Sequence, residues 1–327
     1  MKILVTGPDG LLGSSLVREL LKDGYEVKAF VFPGSRSQTL EGLPIERFYG
    51  NILKQSDLLE AIAGCDAVIH AAANTNVWPT RSEKIRQVNF LGTQNAVEAA
   101  LQRGVKRFIY VSSASSYHHG SKQTPGNETQ PFTGSMYRLD YIDSKYQAQE
   151  YVLEAVRTRG LPGIVINPTF MFGEFDSMPS SGRMILAIYH GKVPGYTGGG
   201  KNFVYARDVA RAIVNALTLG RIGECYIAGN VNLHYKELFE IIAREVGVKP
   251  PRLRFPAPFM RLVGWFGTAS GKLFRRAPAI NHSTAQISCD SQFYSPEKAV
   301  RELKMPQTEI DSAIRSAFQW LKSNHYC

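Results

Sequence analysis

The nine residues VTGPDGLLG (5–13) place Gly7, Gly10 and Gly13 between an apolar run and a helical pattern. The run before them, MKILVT, reads as a buried strand. The segment after them, LLGSSLVRELLKDG, has helical spacing and closes with a basic last turn and Gly24. Glycine serves three purposes at such a junction. One allows a tight turn, one lets the backbone approach a ligand closely, and one lets the helix pack tightly on the strand. The opening turn of the helix also offers free N–H groups and the positive end of the helix dipole, which suits a phosphate. Glycine turns follow many strands, but here strand, turn and helix stand in the order that a phosphate-binding turn needs.

The pattern continues in the same style. Strand-like runs KILVTG, EVKAFVF, IERFYG, DAVIHAA, RFIYVSS and GIVINPT alternate with helical segments, and GECYIAGN (223–230) is a candidate seventh strand. Strands alternating with helices predict a parallel sheet with crossover helices. The expected fold is therefore α/β: a Rossmann-type doubly wound parallel sheet of about seven strands, with a smaller, mixed C-terminal substrate domain. After Pro168 the chain loosens into GEFDSMPSSG, GYTGGGKN and PPRLRFPAP, and helical patterns return at ARDVARAIVNALTLG, YKELFEIIAREVG and TEIDSAIRSAFQWLKSN. The expected division is a nucleotide-binding domain over 1–167, completed within about 203–230, and a substrate-binding domain over 168–202 and 231–327.

Composition excludes several classes. No run of the 327 residues approaches the 18 or so apolar residues that span a bilayer. The start, MKILVTG, lacks the separate basic and apolar regions of a signal peptide. Four scattered cysteines, without CxxC or a His/Cys cluster, suggest reduced thiols in a cytoplasmic protein and no metal site. His118 and His119 are adjacent and do not both face one ion; a loop over the site is the expected reading. The net charge of +10 suits an anionic small molecule, and the spread of basic residues argues against nucleic acid. A small-molecule substrate is the expected partner, and a homodimer remains open.

The segment MYRLDYIDSKYQAQEY (136–151) holds four tyrosines and one lysine. A phenol titrates near pH ~10 and works at neutral pH only beside a fixed positive charge. Side chains four apart share a helix face, which pairs Tyr141 with Lys145. Tyr137 stands about two turns away, near the helix entry, and is expected in a pocket wall; Tyr146 and Tyr151 are expected to pack.

The TGxxGxxG spacing of residues 6–13 resembles that of extended short-chain dehydrogenases/reductases. The likeness continues through DAVIHAAA (66–73), VNFLGTQNAVEAA (88–100), FIYVSSAS (108–115), YIDSK (141–145), INPTFMFG (166–173) and NFVYARDVARAI (202–213). It implies Tyr141 as catalytic acid/base, Lys145 lowering its pKa and binding the nicotinamide ribose, and Ser113 holding the carbonyl, with Ser115 as runner-up. It also implies cofactor contacts at Gly7, Asp9, Gly10, Leu11, Leu12, Gly13, Asn51, Ile52, Ala71, Ala72, Ala73, Asn89, Asn167, Pro168 and Thr169. Asn51 stands where the family tends to have aspartate, and Asn89 has a structural alternative as a buried amide.

The cofactor's phosphate is read from the end of the second strand. That strand ends in Val31 and Phe32 with no carboxylate to hold ribose hydroxyls, and Ser35, Arg36 and Ser37 could bind a 2′-phosphate. NADP is expected, with NAD as the alternative. Within the superfamily the chain resembles dihydroflavonol reductases and hopanoid-associated sugar epimerases; the likeness to the latter runs through NTNVWPTRSEKIRQVNFLGT, INPTFMFGEFDSMPSSGRMI, GECYIAGNVNLHYKELF and FYSPEKAVRELKMP and covers nearly the whole chain. The first likeness implies reduction of a hydrophobic ketone or aldehyde. Nucleotide-sugar epimerases and dehydratases use the same triad, and a non-catalytic nucleotide sensor is a third class. Candidate pocket residues are Asn74, Trp78, Ser115, Tyr137, Phe170, Met171, Met178, Arg183, Tyr189 and Tyr196, mostly apolar. The segment RFPAPFMRLVGWFGTASGKLFRR (254–276) mixes aromatics with basic residues. It is expected to be a helix with a solvated basic face, with contact to a membrane surface as the rarer alternative.

Overall fold

The computed structural model describes residues 1–35 and 37–327. Seven strands form the central sheet: β1 (Lys2–Thr6), β2 (Glu26–Val31), β3 (Glu46–Tyr49), β4 (Ala67–His70), β5 (Arg107–Val111), β6 (Gly163–Pro168) and β7 (Cys225–Ala228). Their order is β7-β6-β5-β4-β1-β2-β3, and every neighbouring pair is parallel. All seven expected strands are present.

The sheet is covered on both faces because side chains alternate along each strand. Ile3 and Val5 of β1 join one core with Leu16, Leu20, Val209 and Ile213, which belong to helices α1 (Leu11–Lys22) and α5 (Ala206–Leu219). Leu4, between them, joins the opposite core with Leu58, Ala96 and Val152. Those three lie on α2 (Gln55–Ile62), α3 (Gly92–Arg103) and α4 (Asp140–Arg159). β5 repeats the split, with Ile109 on the first face and Phe108 and Tyr110 on the second.

The strand order reverses between β1 and β4, and a crevice opens above their C-terminal ends. In doubly wound sheets ligands bind at that switch point. Beyond β6 the chain builds a second, smaller sheet from Phe170–Phe172, Gly200–Tyr205, Val231–His234 and Ser291–Gln292. A third core of Phe172, Ile185, Phe203, Leu238, Ile242 and Ile314 lies beneath it. Strand Gly200–Tyr205 leads directly into α5, so the chain returns to the central sheet through α5 and β7.

Candidate active site

The glycine loop has a different steric need at each glycine. Gly7 has φ +66°, and a Cβ there would sit 2.8 Å from Ala72 Cα. A Cβ on Gly13 would meet Gly7 O at 2.0 Å, so this glycine lets α1 close on the loop. Gly10 is different, because the nearest protein atom to its Cβ position is Gly7 O at 3.8 Å. The protein leaves open space there. Gly10 starts α1 without a side-chain cap, and no acidic residue occupies the first turn. Free N–H groups, the positive helix end and this gap fit the pyrophosphate of a dinucleotide. Across the crevice the loop after β4 is fixed by Ala72 N donating to Thr6 Oγ1 at 3.2 Å.

Gly7, Asp9, Gly10, Leu11, Leu12 and Gly13 line a cleft with Ala71–Ala73, Ser113, Tyr141, Lys145, Pro168 and Thr169. Exposed Met178 lines it as well. This cleft runs into a cavity of about 340 Å³. Ser113 and Tyr141 line both spaces, together with Leu11, Thr75, Pro168, Thr169, Met171 and Ser180. The two hydroxyls thus stand at the junction.

Each member of the trio is held by its own element. Ser113 follows β5; its Oγ lies 2.8 Å from Ser115 Oγ and accepts from Ser115 N at 3.3 Å. Tyr141 and Lys145 lie one turn apart on α4. Burial pushes the Tyr141 phenol up, and a hydrogen bond with Ser113 pulls it back. Lys145 is buried, donates to Val111 O, and has its Nζ 4.4 Å from the Tyr110 ring centroid. Burial holds its ammonium down to about 7. Buried His70 sits behind it between Thr6 and Thr93, and burial and the Lys145 charge lower it to about 3, so it is neutral.

Other expected contacts are engaged elsewhere. Asn89 is buried in a π-helical turn; its Oδ1 accepts from Asn74 N at 2.7 Å, and its Nδ2 donates to Asn74 O and Ser144 Oγ, both at 3.1 Å. Its amide ties the loop after β4 to α4. Asn74 Oδ1 accepts from Asn76 N, a hydrogen bond within that loop. Asn167 Nδ2 donates to Ser113 O at 3.0 Å and Gln149 Oε1 at 2.7 Å, anchoring the serine from behind. Asn51 Oδ1 accepts from Leu53 N, and buried Ile52 packs on Gly92.

The adenosine end brings a change. No acid ends β2, and Phe32 is 61% exposed. The Asp9 carboxylate reaches this place instead, accepting from Ser35 Oγ and from Ser37 Oγ (3.1 Å). A carboxylate is present after all, supplied by the glycine loop. Arg36 lies outside the described residues.

The substrate candidates separate. Ser115, Phe170, Met171 and Arg183 line the apolar cavity. Tyr137 is buried, donates to Asp290 Oδ2 at 2.8 Å and meets His119 Nε2 at 3.1 Å. Trp78 packs over Gly271, and Tyr196 accepts through its backbone from Phe255 N. Tyr189 packs against Phe318 in the third core. None of these four is among the lining residues of the cleft or cavity. Sequence reasoning missed Thr75, Val77, Leu139, Ile142, Lys201, Ile287, Gln292 and Tyr294, all in the cavity wall. The only signal among them was Lys201, a lysine inside the apolar strand KNFVY. Its Nζ donates to Gln292 Oε1 at 2.9 Å, and burial lowers it to about 8. Among the described residues no cluster able to hold a metal ion occurs.

Comparison with known proteins decides the family. The model of the NAD dependent epimerase/dehydratase family matches residues 3–229. The chain belongs to that family. It is an enzyme of the extended short-chain dehydrogenase/reductase type, and its cofactor is a nicotinamide dinucleotide. A protein of Synechocystis named putative dihydroflavonol 4-reductase is 30% identical, over 98% of this chain and 95% of its own. Sterol demethylase protein B of Methylococcus capsulatus is 29% identical over 98% of both. A crystal structure described as PA4631, a nucleoside-diphosphate-sugar epimerase from Pseudomonas aeruginosa, superposes with TM-score 0.83 at 28% identity, covering 100% of this chain and 99% of that one.

Proposed function

We propose that the protein reduces a hydrophobic ketone or aldehyde with NAD(P)H. The observation that carries this reading is the junction: Ser113 and Tyr141 belong both to the glycine-loop cleft and to the apolar cavity. A carbonyl lodged in the cavity meets the two hydroxyls where the cleft ends. Phe170, Met171, Leu139, Ile142 and Ile287 suit an apolar body better than a sugar diphosphate. The names of the two relatives, a reductase and a sterol-processing protein, point the same way.

The bound dihydronicotinamide supplies the hydride. Ser113 donates to the carbonyl oxygen and fixes its direction. Tyr141, kept protonated by burial, gives its proton to the oxygen as charge builds there. Lys145 in its charged form stabilises the phenolate left behind, held in aim by Val111 O. In this reading Asn89, Asn74 and Asn167 position the site, and Asp9 sits by the adenosine ribose. A carboxylate there accepts a hydroxyl and repels a 2′-phosphate, which favours NAD(H) and reverses the preference drawn from the end of β2. We take 1–167 with 203–230 as the nucleotide-binding part and 168–202 with 231–327 as the substrate-binding part, which two separate cores support. Four free cysteines suit a reducing cytoplasm.

The test is to mix the protein with NADH or NADPH and a panel of ketones, aldehydes and sterols, following nicotinamide absorbance. Stoichiometric cofactor oxidation is expected. Conversion of a nucleotide sugar with no net oxidation would establish an epimerase instead.

A further inference from the structure

The helix Ala257–Leu273 packs the opposite way from an ordinary surface helix. Its buried positions are Met260, Gly264 and Gly271. The glycines are there because neighbours press against the helix. A Cβ on Gly264 would lie 2.5 Å from Ala285 Cβ, and one on Gly271 would lie 2.8 Å from Trp78 Cζ2. The large side chains face outward. Phe259, Leu262, Phe266 and Leu273 follow the three- and four-residue spacing of a single stripe, with Trp265 beside it. They are 47%, 54%, 57%, 76% and 58% exposed in that order, and Phe274 at the helix end is 69% exposed. Exposed apolar side chains are ordinary when scattered; a contiguous aromatic stripe marks an interaction surface.

Charge indicates the partner. From Lys249 to Arg276 the chain has seven basic residues and no acidic one. Arg261 and Lys272 flank the stripe along one edge of the helix, Arg275 and Arg276 follow its end, and Arg252 and Arg254 precede it. All are exposed, and among the described residues none forms an ion pair. A second copy docking on this face through a two-fold axis would bring the cationic flanks together, which opposes self-association. An anionic bilayer meets both demands: its headgroups attract the flanks and its acyl boundary takes the stripe. No helix among the described residues is long and apolar enough to cross a membrane, so the contact is with one leaflet.

We infer that the helix Ala257–Leu273 is a docking element for an anionic membrane surface, lying in the interface with Phe259, Leu262, Trp265, Phe266 and Leu273 inserted. The element adjoins the substrate cavity. Trp78 packs on the helix one residue after Val77, and Ile287 of the next helix lines the cavity wall.

Flotation with equimolar phosphatidylcholine–phosphatidylglycerol vesicles and with phosphatidylcholine alone tests this. The wild-type protein is expected to float with the mixed vesicles, with a blue shift of tryptophan emission, and to stay behind with phosphatidylcholine alone. Arg275→Glu with Arg276→Glu should lower partition more than twentyfold, at roughly fivefold for each charge near an anionic surface. Trp265→Ser with Phe266→Ser should lower it comparably and abolish the blue shift. Both variants should retain wild-type melting behaviour and turnover of a water-soluble ketone, because none of these residues lines the site. Three results overturn the inference: no flotation at low salt, flotation that the serine variant leaves unchanged, or a concentration-dependent dimer that the serine variant dissociates while vesicles go unbound. The inference stands apart from the reductase reading, since failure to reduce any carbonyl leaves vesicle binding untouched.

Discussion

Replacing Lys145 with methionine should change stability with a sign that reverses as pH rises. The lysine is buried with its ammonium held at about 7, against 10.5 for the free side chain. Each tenfold loss of proton affinity on folding is worth ~1.36 kcal/mol, so at pH 6 the buried charge costs the fold about 5 kcal/mol. Between 7 and 10.5 the unfolded chain binds the proton that the folded chain has released, so stability rises with pH in that window. At pH 9.5 the remaining cost is about 1.4 kcal/mol. Methionine removes the cost and also loses the hydrogen bond to Val111 O and the contact with the Tyr110 ring. The charged part of both contacts is already contained in the ammonium's value of about 7; the loss that does not titrate is the donor to Val111 O, whose buried carbonyl is left unpaired at a cost of ~2 kcal/mol. The variant should therefore be more stable than wild type at pH 6 and less stable at pH 9.5. The difference between the two comparisons, about 3 kcal/mol, is independent of the size of the fixed losses. Urea unfolding of nucleotide-free protein at both pH values measures it. A wild-type-minus-variant difference that stays constant to within about 1 kcal/mol would show that the lysine is not desolvated, and the reasoning would fall.

The other expectations concern the reaction. Tyr141→Phe should lower kcat by about 10²–10⁴ while nucleotide binding, followed by thermal protection, stays near wild type. With Lys145 near 7, its charge is lost as pH rises, so kcat/KM for carbonyl reduction should fall above about pH 7; a profile flat to pH 9 would contradict the role given to the ammonium. Asp9→Asn should raise the kcat/KM for NADPH relative to NADH by about tenfold, as removal of a carboxylate beside a 2′-phosphate is worth ~1–2 kcal/mol. Lys201 is a half-buried cation lining the cavity, with Gln292 rather than a carboxylate as its partner. Lys201→Met should raise KM about tenfold for ketones bearing a carboxylate and leave neutral ketones unaffected, at a net worth of ~1.5 kcal/mol for a charged hydrogen bond.

What the sequence made legible follows from how local each signal is. The seven strands could be read because each is a short apolar run bounded by turns, and the glycine loop because strand, turn and helix are contiguous. Tyr141 and Lys145 could be paired because both lie on one helix, where spacing alone gives direction. Residues whose role depends on distant partners could not be read. Asp9 was expected at the cofactor only as part of the glycine loop; its meeting with Ser35 and Ser37, 26 and 28 positions away, needed the fold. Tyr137 looked like pocket wall because it opens the same segment, yet Asp290, 153 positions on, turns it into the core. Lys201 meets Gln292 across 91 positions. The same limit applied to the segment 254–276. Its composition of aromatics and arginines pointed to a solvated helix before an interfacial one, because composition does not say which side is buried. Only the packing of Gly264 on Ala285 and of Gly271 on Trp78 fixes the buried side, and that rotation turns every large apolar side chain of the stripe toward the outside.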